Sequence, residues 1–259
     1  MELNLTGKHV VVTGAGAGIG LAITRGFAAE GAYVVAGSRR ITPELKELAD
    51  GGRVTPVEVD LAGPDAPAEL VAAAGERVDV LVNNVGAALP RPAGFLAVTD
   101  EMWAATWNLD VMAAVRAIRA ALPVMLAAGG GVIVNTGSVN ARLADPLVVD
   151  YSAAKAALTN LAKSLSKEFG PRGIRVNTVA PGPVATALWL GGHGVAETVG
   201  AARGIDPAAV RAGAEAAMVT GRFTRPEEVA DLVLLLASDR TGNVTGAEFT
   251  IDGGMIDTI

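Results

Sequence analysis

The segment Thr13-Gly14-Ala15-Gly16-Ala17-Gly18-Ile19-Gly20 decides the fold, because it joins the apolar run His9–Thr13 to a helical pattern over Ile19–Glu30. Glycines let a backbone approach a pyrophosphate closely, and the N-terminus of the following helix supplies oriented N–H donors. The spacing T-G-x-x-x-G-x-G differs from the common fingerprint G-x-G-x-x-G, and no Gly-Lys-Ser/Thr follows it. The segment therefore favours a nucleotide site, and the alternative is a tight strand-to-helix turn without a ligand.

Short β-branched runs alternate with helical patterns along the whole chain. Most of the runs are continuously apolar, as expected of parallel strands that are buried on both faces. The predicted strands are His9–Thr13, Tyr33–Ala36, Val54–Val59, Val78–Val82, Val132–Thr136, Ile174–Val179 and Glu248–Ile251. The predicted helices are Ile19–Glu30, Pro43–Ala49, Asp65–Ala74, Asp100–Ala127, Asp150–Phe169 and Pro226–Ala237. With no linker in between, this alternation predicts one α/β domain over residues 1–259, with a doubly wound, Rossmann-like parallel sheet of about seven strands and helices on both faces.

The composition excludes several classes of protein. The 259 residues are 51% hydrophobic and 19% charged, which is unlike a disordered chain. The absence of cysteine excludes disulfides, thiolate zinc sites and a cysteine nucleophile, and with only His9 and His193 we predict no metal site. A net charge of −6 argues against nucleic acid and anionic membranes as partners. Because no signal peptide and no membrane-spanning run is found, we expect a cytoplasmic protein.

One stretch, residues 183–222, breaks the alternation between the sixth predicted strand and the last helix. Insertions of this length in a compact domain are usually functional. Since it follows the carboxyl end of a strand, where doubly wound folds bind ligands, we expect a substrate lid. Trp189 is its best candidate for a substrate contact, whereas His193 is more simply a solvated residue of a glycine-rich loop.

The end of the second predicted strand indicates which cofactor is used. In this type of fold an acidic residue there binds the ribose hydroxyls of NAD, whereas an arginine accommodates the 2′-phosphate of NADP. The sequence has Ser38, Arg39 and Arg40 at this point and no carboxylate. We therefore expect NADP(H) rather than NAD(H). The alternative is a solvated pair of charges on a loop.

Tyr151 and Lys155 begin a helical pattern with i,i+4 spacing, which places both on one face. A nearby ammonium favours the ionised form of a phenol, so such a tyrosine can act as a general acid or base. Ser138 follows the fifth predicted strand, whose carboxyl end faces the same crevice, and its hydroxyl can bind a carbonyl oxygen. The alternative roles are a polar helix surface for the pair and a loop cap for Ser138.

With these motifs in place, the sequence resembles the short-chain dehydrogenase/reductase family, in its compact form, over essentially the whole chain. The matching motifs occur in the family's order: Thr13-Gly14-x-x-x-Gly18-x-Gly20, Asp60, Asn83-Asn84-Val85-Gly86, Asn108, Ser138, Tyr151/Lys155 and Pro181-Gly182. The family's Asn-Asn-Ala-Gly is Asn-Asn-Val-Gly here, which leaves the role of the backbone intact. Many NADP-dependent members carry a basic residue where this chain has Ala17, so the NADP prediction depends on the segment 38–40.

The resemblance implies a catalytic set of four residues. Asn108 would hold a water of a proton relay, and Ser138 would polarise the substrate oxygen. Tyr151 would transfer the proton, and Lys155 would hold the nicotinamide ribose. The resemblance also implies a cofactor site that consists of Gly14, Ala17, Gly18, Ile19, Gly20, Ser38, Arg39, Arg40, Asp60, Leu61, Asn84, Val85, Gly86, Tyr151, Lys155, Pro181, Gly182, Val184 and Thr186.

The predicted function is an NADP(H)-dependent oxidoreductase that interconverts a ketone and a secondary alcohol, acting on a small molecule. The resemblance also implies a homotetramer formed through the long central helices and the last strand. Two other functions stay open: a carbon–carbon-reducing or epimerising enzyme on the same scaffold, and a catalytically silent nucleotide-binding protein. The intact set of serine, tyrosine and lysine favours carbonyl chemistry.

Overall fold

The computed structural model describes residues 2–192 and 194–257. Seven strands form one parallel sheet in the order β3-β2-β1-β4-β5-β6-β7. They are β1 (His9–Thr13), β2 (Tyr33–Ser38), β3 (Val54–Glu58), β4 (Val80–Asn83), β5 (Gly131–Thr136), β6 (Ile174–Pro181) and β7 (Glu248–Ile251). Helices cover both faces of this sheet, so the predicted fold class is confirmed.

The helices are α1 (Gly18–Ala29), α2 (Pro43–Asp50), α3 (Ala66–Ala72), α4 (Asp100–Trp107), α5 (Ala113–Ala127), α6 (Val149–Phe169), α7 (Ala187–Leu190), α8 (Val195–Arg203), α9 (Pro207–Ala216) and α10 (Pro226–Ala237). The predicted helix Asp100–Ala127 is therefore a continuous helical segment with the predicted bounds, in which a π-helical turn over Asn108–Met112 joins α4 to α5. Turns of this kind are rare and occur often at functional sites. No helix among residues 2–192 and 194–257 is long and apolar enough to cross a membrane.

Alternate side chains of the central strands supply two separate cores. Val10 and Val12 of β1 belong to the cluster that contains Phe27 of α1, together with residues of α10. Val11 belongs to the cluster on the other face, which contains Leu70 of α3 and residues of α5. Each fully buried side chain of this size contributes about 1.5–3 kcal/mol. Burial of both faces explains why the strands are continuously apolar in sequence.

The strand order reverses between β1 and β4, which are neighbours in the sheet although two strands separate them in sequence. Ligands of open α/β sheets bind in the crevice outside the carboxyl ends of the strands at such a point. Strands β2 and β6 extend further than predicted, to Ser38 and Pro181, and so bring residues predicted to bind the cofactor to this edge.

Candidate active site

The loop between β1 and α1 is held close to the end of β4. A β-carbon at Gly20 would overlap the carbonyl oxygen of Gly14, so only glycine fits this approach. The Asn84 side-chain amide donates to the carbonyl oxygens of Thr13 and Gly14, at 3.2 and 3.3 Å. The backbone amides of Asn84 and Val85 both donate to Thr13 Oγ1. These hydrogen bonds from the end of β4 fix the conformation of the loop.

Helix α1 begins immediately after this loop. Ala17 precedes its first residue in an extended conformation, and no side chain caps the helix N-terminus. The first N–H groups of an α-helix have no partner inside the helix, so they are suited to bind the phosphates of a dinucleotide. Gly18 lies beside the Thr186 side chain, which brings the loop next to the segment after β6.

The end of β2 lies next to the glycine loop. The Thr42 hydroxyl donates to the Gly16 carbonyl oxygen at 3.0 Å and so ties the segment after β2 to the loop. Arg39 and Arg40 are exposed and form no ion pair within the described part of the chain. Asp60 accepts a hydrogen bond from the Ala62 backbone amide, and Leu61 is buried. The sequence-predicted cofactor residues of this side therefore lie at the ends of β2 and β3.

A cavity of about 530 Å³ opens at the carboxyl edge of the sheet. It brings together two groups of residues that the sequence predicted separately. The chemical group consists of Ser138, Tyr151 and Lys155. The cofactor group that lines the same cavity consists of Ile19, Asn84, Gly86, Pro181, Gly182, Val184 and Thr186. The remaining predicted cofactor residues lie outside its lining, on the glycine loop and at the ends of β2, β3 and β4.

Ser138 and Tyr151, which both carry a hydroxyl group, line this cavity. Ser138 begins a short turn at the end of β5, where it donates to Asn140 Oδ1 at 3.1 Å and accepts from the Asn140 backbone amide at 3.2 Å. The Tyr151 hydroxyl has no hydrogen-bond partner among the described residues, and the Lys155 ammonium lies 5.4 Å from the centre of its ring. The phenol is therefore free to bond a ligand.

Lys155 is 3% exposed and has two partners. Its ammonium donates to the Thr136 carbonyl oxygen at 3.1 Å and lies 3.5 Å from Asp110 Oδ1. Asp110 is also buried and accepts a hydrogen bond from the Ala87 backbone amide at 3.2 Å. A β-carbon at Gly86 would lie 3.1 Å from the ammonium and would overlap the carboxylate, so a larger residue at position 86 would displace this pair.

Asp110 was not predicted from the sequence. Burial raises the pKa of the Asp110 carboxyl above its ordinary value, and the charge of Lys155 opposes that shift. In the sequence, Asp110 lies between the apolar residues Leu109 and Val111, and this position could have indicated a buried carboxylate. A charged residue on a buried helix face needs a partner, and here the partner is Lys155.

The structure does not place the side chain of Asn108, which is predicted to join the catalytic group, in contact with the other members of that group. The Asn108 side-chain amide donates to the Ala62 carbonyl oxygen at 2.7 Å, and its oxygen accepts from Arg116 at 2.8 Å. Neither contact leads to Tyr151 or Lys155. Asn108 and Asp110 both lie in the π-helical turn, but only Asp110 faces the lysine. A catalytic role of the Asn108 side chain therefore stays a prediction that its contacts do not support.

A second buried carboxylate lies directly before the predicted proton donor. Asp150 is paired with Arg91 at 2.6 Å and accepts from the Thr106 hydroxyl at 2.7 Å. Burial opposes ionisation, but these hydrogen bonds hold the pKa of the Asp150 carboxyl below its ordinary value. The Arg91 backbone amide also donates to the Leu147 carbonyl oxygen. The pair thus fixes the loop after β4 against the start of α6.

The sheet topology, the glycine loop and the cavity with its hydroxyl groups define a dinucleotide-binding oxidoreductase. A family model described as Enoyl-(Acyl carrier protein) reductase matches residues 14–256. The 3-oxoacyl-(acyl-carrier-protein) reductase FabG of Thermotoga maritima is 36% identical over 98% of this chain and 100% of that protein. The cis-4-hydroxycyclohexanecarboxylate dehydrogenase of Sinomonas cyclohexanicum is 38% identical over 95% of this chain and 96% of that protein.

The structure of L-sorbose reductase from Gluconobacter frateurii, complexed with NADPH and L-sorbose, is similar with a TM-score of 0.90 at 35% identity, and each chain is covered to 100%. The chain belongs to the short-chain dehydrogenase/reductase family, which confirms the resemblance seen in the sequence. It is an NAD(P)-dependent oxidoreductase that interconverts a carbonyl and a hydroxyl group.

Proposed function

We propose that the protein is an NADPH-dependent carbonyl reductase in which Tyr151 supplies the proton. The observation that carries this proposal is the single cavity that contains Ser138, Tyr151 and Lys155 beside the residues predicted to hold the nicotinamide. A hydroxyl donor, a phenol and a buried ammonium are the groups needed to protonate an oxygen as it gains negative charge.

The chain has residues suited to bind each part of the dinucleotide. The uncapped N-terminus of α1 would bind the pyrophosphate, and the exposed Arg39 and Arg40 would bind the 2′-phosphate. The nicotinamide would lie against Ile19 and the residues at the end of β6. When bound, the cofactor supplies a hydride to the substrate carbon. The NADPH and NADP that are bound in structures of similar proteins support the choice of phosphate.

The residues of the chain provide the proton and the orientation. The Tyr151 phenol donates its proton to the substrate oxygen, and the Ser138 hydroxyl donates a hydrogen bond to the same oxygen once it leaves Asn140. The Lys155 ammonium stabilises the phenolate that results and binds the ribose hydroxyls. Asp110 acts as a positioning residue, because its carboxylate and the Thr136 carbonyl hold Lys155 from behind.

Two substitutions of Asp110 distinguish the effect of its negative charge on turnover from the effect of its hydrogen bonds. We expect Asp110→Asn to keep turnover within about threefold, because an amide oxygen still accepts from Ala87, whereas Asp110→Ala loses about tenfold through the missing hydrogen bonds. Asp110 is neutral below its raised pKa and charged above it. Wild-type turnover should therefore fall as the pH decreases through that pKa, by no more than the same factor of about three, and this acid limb should be absent in Asp110→Asn.

The measurement is kcat against pH for the wild-type enzyme, for both Asp110 variants and for the control Asp145→Asn. Asp145 carries a carboxylate of the cavity wall that does not contact Lys155. An acid limb that is unchanged in Asp110→Asn would show that Asp110 is not its source.

We further propose that residues 183–222 act as a substrate lid. Helices α7, α8 and α9 lie in this segment, and each contributes residues to the cavity wall. Its two ends are tied together, because the Ala185 amide donates to the Thr224 carbonyl and the Thr224 amide donates to the Pro183 carbonyl. Helix α9 buries no residue, so it is held weakly in the free protein.

Binding of NADP⁺ together with an alcohol product should therefore slow amide hydrogen exchange in α8 and α9. Mass spectrometry of the peptides from these helices measures the change, and peptides from the buried helix α10 serve as the internal control. Equal exchange rates in the free and ternary states would contradict a closing lid.

Two broader features belong to the same proposal. We propose a homotetramer that uses α4, α5, α6 and β7, which is supported by the exposed Met102 and Trp107 side chains and tested by sedimentation. We also propose a cytoplasmic location, which fractionation of the source cells would test.

The function itself is tested by screening ketones with NADPH and identifying the products. An absence of any alcohol product would exclude carbonyl reduction and favour the silent nucleotide-binding protein.

A further inference from the structure

Beyond Ser138 and Tyr151, the wall of the cavity is mostly apolar. The stretch that follows Ser138 contributes Val139, Leu143 and Leu147. The lid segment contributes Leu188, Trp189 and Val199, and the Trp189 ring packs edge-on against Phe223 at 5.2 Å between ring centres. A wall of this composition binds hydrocarbon and leaves the hydroxyl groups of a polyol without partners.

Besides Thr186, which belongs to the predicted cofactor group, three polar side chains interrupt this apolar part of the wall, and two of them already have hydrogen-bond partners. The Asn140 amide donates to the Leu143 carbonyl oxygen at 3.3 Å, and its oxygen accepts from Ser138. The Asp145 carboxylate accepts from the Leu147 backbone amide at 2.9 Å. The third side chain is Arg203, the last residue of α8, which has no hydrogen bond or ion pair among the described residues. It is the one uncommitted cation that lines the described cavity.

We infer, on the basis of the proposed carbonyl chemistry, that the substrate is a ketone with an apolar body and one carboxylate, and that Arg203 binds the carboxylate. The guanidinium is a strong donor to carboxylates, and the apolar wall takes up the hydrocarbon between the two ends of the molecule. Since Arg203 lies on the lid, this contact also couples binding of the acid group to the position of α8. Arg203 is thus a specificity-determining residue, and a neutral polyol such as L-sorbose is a poor substrate.

The first test measures binding without catalysis. The enzyme saturated with NADP⁺ is titrated with cyclohexanecarboxylate and with its neutral counterpart cyclohexanecarboxamide, and the Kd values are measured by calorimetry. Since Arg203 is solvent-exposed, we expect the carboxylate to bind about fivefold more tightly, with a difference that shrinks as salt is added. Arg203→Gln should remove the difference, and Arg203→Lys should keep part of it.

The matched control is Arg211→Gln. Arg211 is an arginine of the neighbouring lid helix α9 that is paired with Glu215 and does not line the cavity. This variant should keep the wild-type preference for the carboxylate. Equal binding of the acid and the amide by the wild-type enzyme, or the same loss in Arg211→Gln as in Arg203→Gln, would overturn the role of Arg203.

The second test compares turnover of oxocyclohexanecarboxylate, methylcyclohexanone and L-sorbose with NADPH. We expect kcat/KM to decrease in that order, and Arg203→Gln should lower only the first value. A higher value for L-sorbose than for methylcyclohexanone would overturn the inference about the apolar body. If the carboxylate binds selectively but no ketone is reduced, the Arg203 site stands and the proposed carbonyl reduction fails.

Discussion

The Tyr151→Phe enzyme should fold and bind NADPH like the wild type but turn over at least about 100-fold more slowly, because the substituted ring cannot protonate the substrate oxygen. The ring itself is retained, so its packing over Lys155 is unchanged. Steady-state kcat with NADPH and a ketone is the measurement, together with the affinity for NADPH. Ser138→Ala should also reduce kcat, since the oxygen loses its second hydrogen-bond donor.

The chain contains one other tyrosine, which provides the matched control. Tyr33 lies on β2, is 48% exposed, and packs beside His9 at the opposite end of the sheet from the cavity. Tyr33→Phe should therefore have wild-type kcat. Near-wild-type turnover in purified Tyr151→Phe would exclude the phenol as the proton donor.

The wild-type enzyme should prefer NADPH over NADH by about 10–100-fold in kcat/KM, which is the effect of one charge-assisted contact with the 2′-phosphate. Ser38 can donate a hydrogen bond to this phosphate, and Arg39 can pair with it. The double substitution Ser38→Asp and Arg39→Ile should reverse the order, because a carboxylate binds the ribose hydroxyls and repels a phosphate. Steady-state kinetics with both cofactors measures the two ratios.

An arginine far from the glycine loop separates a local effect from the loss of one positive charge. Arg53 lies beyond the other end of β2, where its side chain donates to the Gly31 carbonyl oxygen. Arg53→Ile should keep the wild-type ratio between the cofactors. A wild-type enzyme that prefers NADH would mean that Arg39 and Arg40 point into solvent when the cofactor is bound.

The sheet could be predicted from the sequence because its strands are buried on both faces. The strands between the two edges are short apolar runs, and the crossover helices have their own apolar patterns, so element type and order followed from local sequence. The edge strands β3 and β7 are less apolar and less buried. The ends of the strands were harder to predict. Ser38 and Pro181 extend β2 and β6 beyond their apolar runs, and these extensions depend on pairing with β3 and β7.

The catalytic group was only partly predictable for a similar reason. Ser138, Tyr151 and Lys155 carry recognisable side chains at recognisable positions, and the structure brings them into one cavity. The residue of the π-helical turn that contacts Lys155 could not be predicted from residue type alone, because the extra residue in such a turn changes which side chains face the lysine. Asp110 became identifiable only through its contact with Lys155.

The hydrogen-bond network next to the proposed proton donor could not be predicted from the sequence either. Arg91, Thr106 and Asp150 come from three separate segments, and only the packed structure brings them together. The same holds for the lid, in which helix α8 buries three residues and helix α9 buries none. Local sequence predicts an element from the surface that it buries, so weakly buried elements give a weak signal.

The destination of the hydride tests the central claim most directly. The enzyme is supplied with NADPH that carries deuterium at the transferred position of the nicotinamide and with cyclohexenone, which offers both a carbonyl and a carbon–carbon double bond. Carbonyl reduction predicts the unsaturated alcohol, with deuterium on the carbon that bears the hydroxyl group, as measured by mass spectrometry and NMR. A saturated ketone with deuterium on the carbon β to the carbonyl would contradict it, because the enzyme would then reduce the double bond as the name of the matching family model suggests.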